Sequence, residues 1–281
     1  MKAMIFAAGL GTRLKPLTDN TPKALVIVAG KPILEHLILK LKAAGVDELV
    51  INVHHFANQI LAFLEANDNF GIKIHISDET ENLLDTGGAL EKASQLLFSK
   101  KVIDDLLDRA YESTIDQPEN ESESPNFMEG LFDALKKECY LLHNVDIISN
   151  FNLEDLIYYH QNCEYAVQAT LLVSKRPTSR YLLFDEDDFL VGWINKETNE
   201  TKPIGFHYEE GKYKEYAYSG IQIVSPIFFK NMPKGKYSII DYYLSMCHKM
   251  DIQCFVKEDL KLIDIGKPET LEKADEFLSN L

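Results

Sequence analysis

Short apolar runs and helix-spaced apolar positions alternate along the first half of the chain. Lys2–Ala7 is an apolar run of strand length, and Ile33–Ala44 repeats apolar residues at three- and four-residue intervals. Glu48–Val53 and Ala57–Glu65 repeat that strand and helix, and Lys73–Ser77 adds another strand. This alternation predicts an α/β protein whose sheet is mainly parallel, covered on both faces, with ligands at the carboxyl ends of the strands. A helix over about Gly88–Phe98, a buried strand at Tyr140–Asn144 and a helix at Leu153–Asn162 continue the pattern. It then turns strand-rich, with runs at Ala166–Val173, Tyr181–Phe184, Leu190–Ile194 and Tyr218–Val224, before helices near Ile239–His248 and Pro268–Asn280. No repeat and no Pro/Gly-rich linker divides the chain, so one domain over residues 1–281 is expected.

One stretch breaks the rhythm. Between Ser99 and Lys137 lies the segment Asp116–Asn126, with four carboxylates, two prolines and no large apolar side chain. This composition suits a solvated, mobile insertion or an interaction arm rather than core.

Composition narrows the partners. The 281 residues are 46% hydrophobic, enough for a substantial core, and carry a net charge of −15. No basic surplus exists to release counterions from a nucleic-acid backbone, so nucleic acid is not expected as a partner. Any anionic ligand must be met by a few placed cations. Cys139, Cys163, Cys247 and Cys254 are scattered without metal-ligand spacing and read as reduced thiols. No apolar run approaches a bilayer-spanning length and no signal segment precedes the first strand, so a cytoplasmic protein without a membrane partner is expected.

The most informative segment follows the first strand: Ala7-Ala8-Gly9-Leu10-Gly11-Thr12-Arg13-Leu14-Lys15-Pro16-Leu17-Thr18, then Pro22-Lys23-Ala24-Leu25. Gly9 and Gly11 let backbone N–H groups approach an anion, and Arg13 and Lys23 bring positive charge to a polyphosphate. It is not a Walker A loop, lacking Gly-Lys-Ser/Thr, nor the dinucleotide fingerprint, because Leu14 stands at the third glycine position. Two aspartates sit just past apolar runs, Asp146 in Asn144-Val-Asp146 and Asp264 in Asp264-Ile-Gly-Lys-Pro-Glu269. Each is a candidate ligand for Mg²⁺, which favours one or two carboxylates plus phosphate oxygens. Taken alone, each reads first as a turn or cap residue.

Together these segments resemble the sugar-1-phosphate nucleotidylyltransferases, and the short members in particular, such as N-acetylmuramate 1-phosphate uridylyltransferases and small mannose-1-phosphate guanylyltransferases. The resemblance covers nearly the whole chain apart from Ser99–Lys137. It implies a Rossmann-like three-layer nucleotide-diphospho-sugar transferase fold. It also implies an activity: a nucleoside triphosphate and a sugar 1-phosphate give a nucleotide-sugar and pyrophosphate, with Mg²⁺ as cofactor. By the same resemblance Ala7, Ala8, Gly9, Gly11, Thr12, Arg13 and Lys23 wrap the triphosphate, and Thr86, Gly87 and Gly88 border the base. Asp146 and Asp264 hold the metal, with Arg13, Lys23 and Asp146 catalytic. Asn144, Lys196 and Gly220 meet the sugar phosphate.

The sequence departs from the family at Val145, where a glycine is usual, and around Lys196, where Asn195 and Glu197 replace Glu and Pro. Tyr181 stands where some relatives have a small sugar-pocket residue. Two other readings stay open. A phosphocholine cytidylyltransferase would use Trp193, Tyr216 and Tyr218 as an aromatic cage. A silent nucleotide-sugar sensor would be free to lose the charges that this chain keeps. The base (UTP, GTP, CTP or dTTP), the sugar, and the choice between monomer and small homo-oligomer are left undecided by sequence.

Overall fold

The computed structural model describes residues 1–98, 136–163 and 167–279. The acidic insertion expected over 99–137 lies outside these except for its last two residues.

The first half forms a parallel sheet. Strand β1 (Lys2–Phe6) lies between β4 (Glu48–Val53) and β6 (Tyr140–Asn144), parallel to both, and β5 (Lys73–Asp78) adds to β4 in parallel. The alternation of β1 side chains divides the molecule into layers. Ala3 and Ile5 point into one core, with α1 (Ile33–Ala43), α2 (Ala57–Ala66), α4 (Leu153–Asn162) and α6 (Glu269–Ser279). Met4 and Phe6 point into the other, with α3 (Asp85–Leu97) and α5 (Ile239–Met246). The sheet is therefore covered on both faces, which is why β4 reads as a continuous apolar run rather than an alternating one. Helix α1 buries Ile33, Leu34, Leu37, Ile38 and Leu41, the stripe that its three- and four-residue spacing predicts.

The second half extends the same sheet with antiparallel strands. The long β12 (Lys214–Val224) pairs with β6, and also with β8 (Ala169–Ser174) and β9 (Arg180–Phe184). Beyond β9 come β10 (Leu190–Asn195) and β11 (Glu200–Lys202), while β13 (Ile252–Val256) runs parallel to β8. Two small ribbons flank this ten-stranded sheet: β2 (Ile27–Val28) with β3 (Lys31–Pro32), and β7 (Ile147–Ser149) with β14 (Leu262–Asp264). Helices α4 and α5 start at side-chain caps, Asn152 accepting from Glu154 N–H and Ser238 from Ile240 N–H, both at 3.2 Å. No helix among the described residues is long and apolar enough to cross a membrane.

Candidate functional site

The loop after β1 is anchored at its start. Ala7 N–H donates to Asn52 Oδ1 and Asn52 Nδ2 donates to Glu79 Oε1, both at 2.7 Å, while Leu84 N–H donates to Glu79 Oε2 at 3.0 Å. Asn52 and Glu79 are buried, so the carboxyl ends of β1, β4 and β5 share one hydrogen-bonded floor. Gly11 has φ +63°, and a Cβ there would lie 2.9 Å from Thr18 Cγ2; Thr18 Oγ1 donates to Gly11 O at 2.8 Å. The loop folds back at a position only glycine fits. This return brings Lys23 inward, where it is buried and its ammonium contacts Asp146 Oδ2.

Asp146 leaves the end of β6, held by Val145 N–H donating to Phe6 O at 3.2 Å. Val145 is buried and packs into the core, so the residue that departs from the family pattern is accommodated as an apolar contact. Asp264 arrives on β14, opposite Ile147 of β7, and Ile265 N–H donates to Asp146 O at 2.8 Å. Arg13 reaches the same place: a Cβ on Gly266 would lie 2.9 Å from both Arg13 Nη2 and Asp264 Oδ1. Protein packed around Asp264, and then the charge of Asp146, raise the Asp264 carboxyl pKa against the opposing pull of Lys23, Arg13 and Arg176. Two acids and three cations thus converge, and the acids gain from any added positive charge.

Each of these acids lines a cleft of its own. The first, of about 340 Å³, lies over the carboxyl ends of β1, β4 and β6 and is lined by Ala8, Gly9, Lys23, Thr86, Asn144 and Asp146, with Asn52, Glu79, Leu83 and Lys236. The second, of about 550 Å³, is lined by Arg176, Arg180, Trp193, Lys202, Tyr218 and Asp264. Its wall follows from strand parity: Leu182, Trp193 and Lys202 are in register across β9, β10 and β11, and Arg180 shares their face two residues from Leu182. Lys202 pairs with Asp241 at 3.0 Å and lies over the Trp193 ring at 5.4 Å, and Arg176 Nη2 donates to Tyr218 O at 3.0 Å. The Arg180 guanidinium has no acidic partner among the described residues.

The structure brings together most of the residues singled out from sequence, but not all. Gly220 (φ +81°) abuts Asn144, whose Nδ2 would lie 2.8 Å from a Cβ there. Thr86 lines the first cleft, yet Gly87 and Gly88 turn away from it: both N–H groups donate to Tyr237 O, at 2.9 and 3.3 Å. Lys196 lines neither cleft. It is held by Glu215 at 2.7 Å and Tyr208 at 2.6 Å, and Glu215 pairs with Leu183, on the face opposite Arg180 and Leu182. Tyr181, in register with Ile194, also falls on that opposite face and bonds Thr178 N–H through its hydroxyl at 3.1 Å. Sequence reading missed Asn52, Glu79, Arg176, Arg180, Lys202 and Lys236. For Asn52 a signal existed, a lone polar residue within the apolar run Leu49–Val53.

Residues 2–129 match the family model described as Nucleotidyl transferase. Over 97 residues, 34% of this chain and 40% of the relative, the sequence is 50% identical to the N-acetylmuramate alpha-1-phosphate uridylyltransferase of Caulobacter vibrioides. Over 176 residues, 62% of this chain and 38% of the relative, it is 34% identical to the mannose-1-phosphate guanyltransferase of Gibberella zeae. These matches span about two fifths of the relatives' own length. HddC from Yersinia pseudotuberculosis, solved in complex with GMP-PN, shares the fold with a TM-score of 0.65 at 20% identity, 99% of each chain being covered. The part of the chain that these matches cover is thus similar to sugar-1-phosphate nucleotidylyltransferases.

Proposed function

We propose that the protein transfers a nucleotidyl group from a nucleoside triphosphate to a sugar 1-phosphate, forming a nucleotide-sugar and releasing pyrophosphate. The observation that carries this is the placement of Arg13, the Lys23–Asp146 pair and Asp264 where two clefts adjoin. The nucleotide takes the first cleft, with its base toward Thr86 and Leu83 and its phosphates toward Gly9, Arg13 and Lys23. The acceptor takes the second, its phosphate met by Arg176 and Arg180 rather than by Lys196, with Asn144 and the backbone at Gly220 beside the sugar. An acceptor phosphate oxygen attacks the α-phosphorus in line with departing pyrophosphate, so the chain's work is positioning and charge neutralisation. A phosphate monoester is already largely ionised at neutral pH, and no general base is needed.

Asp146 and Asp264 fit a magnesium ion: two carboxylates, one in the turn between β6 and β7 and one on β14, with the pKa of Asp264 raised by burial and then by Asp146, leave the remaining positions for phosphate oxygens and water. Bound there, the ion would neutralise charge on the reacting phosphates. The proposal also places the protein in the cytoplasm, in keeping with four cysteines of which no two are joined in a disulfide among the described residues. The cationic second cleft disfavours phosphocholine, because Arg176, Arg180 and Lys202 line the wall a quaternary ammonium would face, and Tyr216 is buried against Phe184.

The test is pyrophosphate release with Mg²⁺, each of UTP, GTP, CTP and dTTP against a panel of sugar 1-phosphates and phosphocholine. Release that requires a sugar 1-phosphate is expected; nucleotide binding without release from any pair would convert the reading to a sensor.

A further inference from the structure

A third cavity, of about 350 Å³, lies away from both clefts, between α1 and the junction of β7 with α4. Ile33, Leu37, Ile148, Phe151 and Leu278 make its walls largely apolar, and no acidic side chain among the described residues lines it. Lys40 enters it from α1. Its ammonium donates to Ser149 O at 2.7 Å and to Ser149 Oγ at 3.0 Å, which leaves one N–H of the lysine and the hydroxyl proton of Ser149 unassigned. In a chain of net charge −15, a sheltered lysine with only a carbonyl and a hydroxyl for partners is conspicuous. Burial pulls its pKa down to about 8, the sign of a cation lacking a compensating anion. Asn152, the cap of α4, also lines the cavity, so the positive end of that helix adds to the lysine.

We propose that this cavity is a second ligand site, for a small carboxylate with an apolar body, held by Lys40 and Ser149. The volume is at the lower end of small-molecule sites, and a single ammonium beside a hydroxyl suits one carboxylate better than a phosphate dianion, which draws several donors. The site also has a route to the acids. Ser149 ends β7, the strand that begins directly after Asp146, and β7 pairs Ile147 with Asp264 and Ser149 with Leu262. An occupant that takes Lys40 from Ser149 acts on the ribbon that carries Asp264 and follows directly on Asp146. That regulatory consequence rests on the proposed transferase reading; the binding site itself does not.

Binding is measured by NMR titration of the full chain with 4-methylpentanoate, with 4-methylpentanamide and with inorganic phosphate, for the unaltered protein, Lys40→Met and Lys40→Arg. Saturable binding of 4-methylpentanoate is expected, weakened at least tenfold in Lys40→Met and for the amide, and retained in Lys40→Arg. Equal affinity in Lys40→Met, equal affinity of the amide, tighter binding of phosphate, or no saturable binding each overturns the proposal. A readout on the unaltered chain is independent of how the variants fold. Acetylation of Lys40 by dilute acetic anhydride, followed by peptide mass, slows at least fivefold with saturating 4-methylpentanoate; an unchanged rate counts against the site. Pyrophosphate release is assayed separately, so failure of the transferase reading is distinguishable from failure of this one.

Discussion

The contact between Lys23 and Asp146 sets the charge logic of the site. Lys23 offsets Asp146 directly, while Asp264 carries a raised carboxyl pKa because protein surrounds it and Asp146 stands nearby. In the ligand-free protein the ionised Asp264 is therefore a cost, which bound cation removes. If Asp264 holds magnesium as proposed, Asp264→Asn should lower kcat by about 100-fold or more, since a metal contact would supply several kcal/mol at the transition state. The same variant should melt no lower than the unaltered protein without metal, measured by calorimetry in EDTA; a lower melting temperature would mean that the acid props up the fold. At the proposed acceptor cleft, Arg180 lines the wall and Lys196 does not. Arg180→Ala should raise the acceptor KM about tenfold, the loss of one charge-assisted contact of roughly 1.5 kcal/mol, while Lys196→Ala leaves it unchanged in steady-state assays.

At the scale of elements, the amino end of α3 is locked to the segment before α5. Tyr237 O accepts from Gly87 and Gly88, Tyr237 N–H donates to Leu84 O at 3.2 Å, and Ile239 N–H donates to Thr86 Oγ1 at 2.9 Å. A Cβ on Gly88 would overlap the Gly235 carbonyl oxygen. Gly88→Ala should then destabilise the nucleotide-free protein by about 1–3 kcal/mol, the usual cost of overpacking, read as a lower urea midpoint. A glycine serving only to admit the base would leave that midpoint unmoved. Sequence located these glycines but not their partner, because the contact joins residues about 150 positions apart. The same limit governs the strands. Helices α1 and α4 and strands β4 and β6 were legible from periodicity and length, whereas β7 and β14, at three residues each, are too short to show any period. Those two short strands set Asp264 beside Asp146. The glycine-containing loop after β1 stood out because its signals are local in sequence; the Arg176, Arg180 and Lys202 wall did not, because it depends on which face of β9–β11 turns to the cleft.

Across the whole molecule, two histidines in the interior should dominate acid sensitivity. His143 and His160 are fully buried, each with Nε2 lacking a partner among the described residues. His143 Nδ1–H donates to Asn144 O at 2.8 Å, and His160 Nδ1 bonds Thr170 Oγ1 at 2.8 Å. Burial lowers the pKa of His143 to about 3 and that of His160 to about 4, with the charges of Lys40 and Lys136 respectively adding to the effect. Both are thus neutral in the folded chain at pH values where the unfolded chain, with its ordinary value near 6.5, is protonated. The unfolded state binds more protons, so stability present above pH 6.5 is lost as pH falls through the folded values, with a limiting slope of about 1.4 kcal/mol per pH unit for each histidine. The net charge of −15 works the other way, since protonating surface carboxylates below pH 5 relieves self-repulsion. The window from pH 6.5 to 5 isolates the histidines. There the urea-derived stability should fall with pH, and His160→Gln should make the decline shallower by up to that slope; an equal decline in the variant would assign acid sensitivity to other groups.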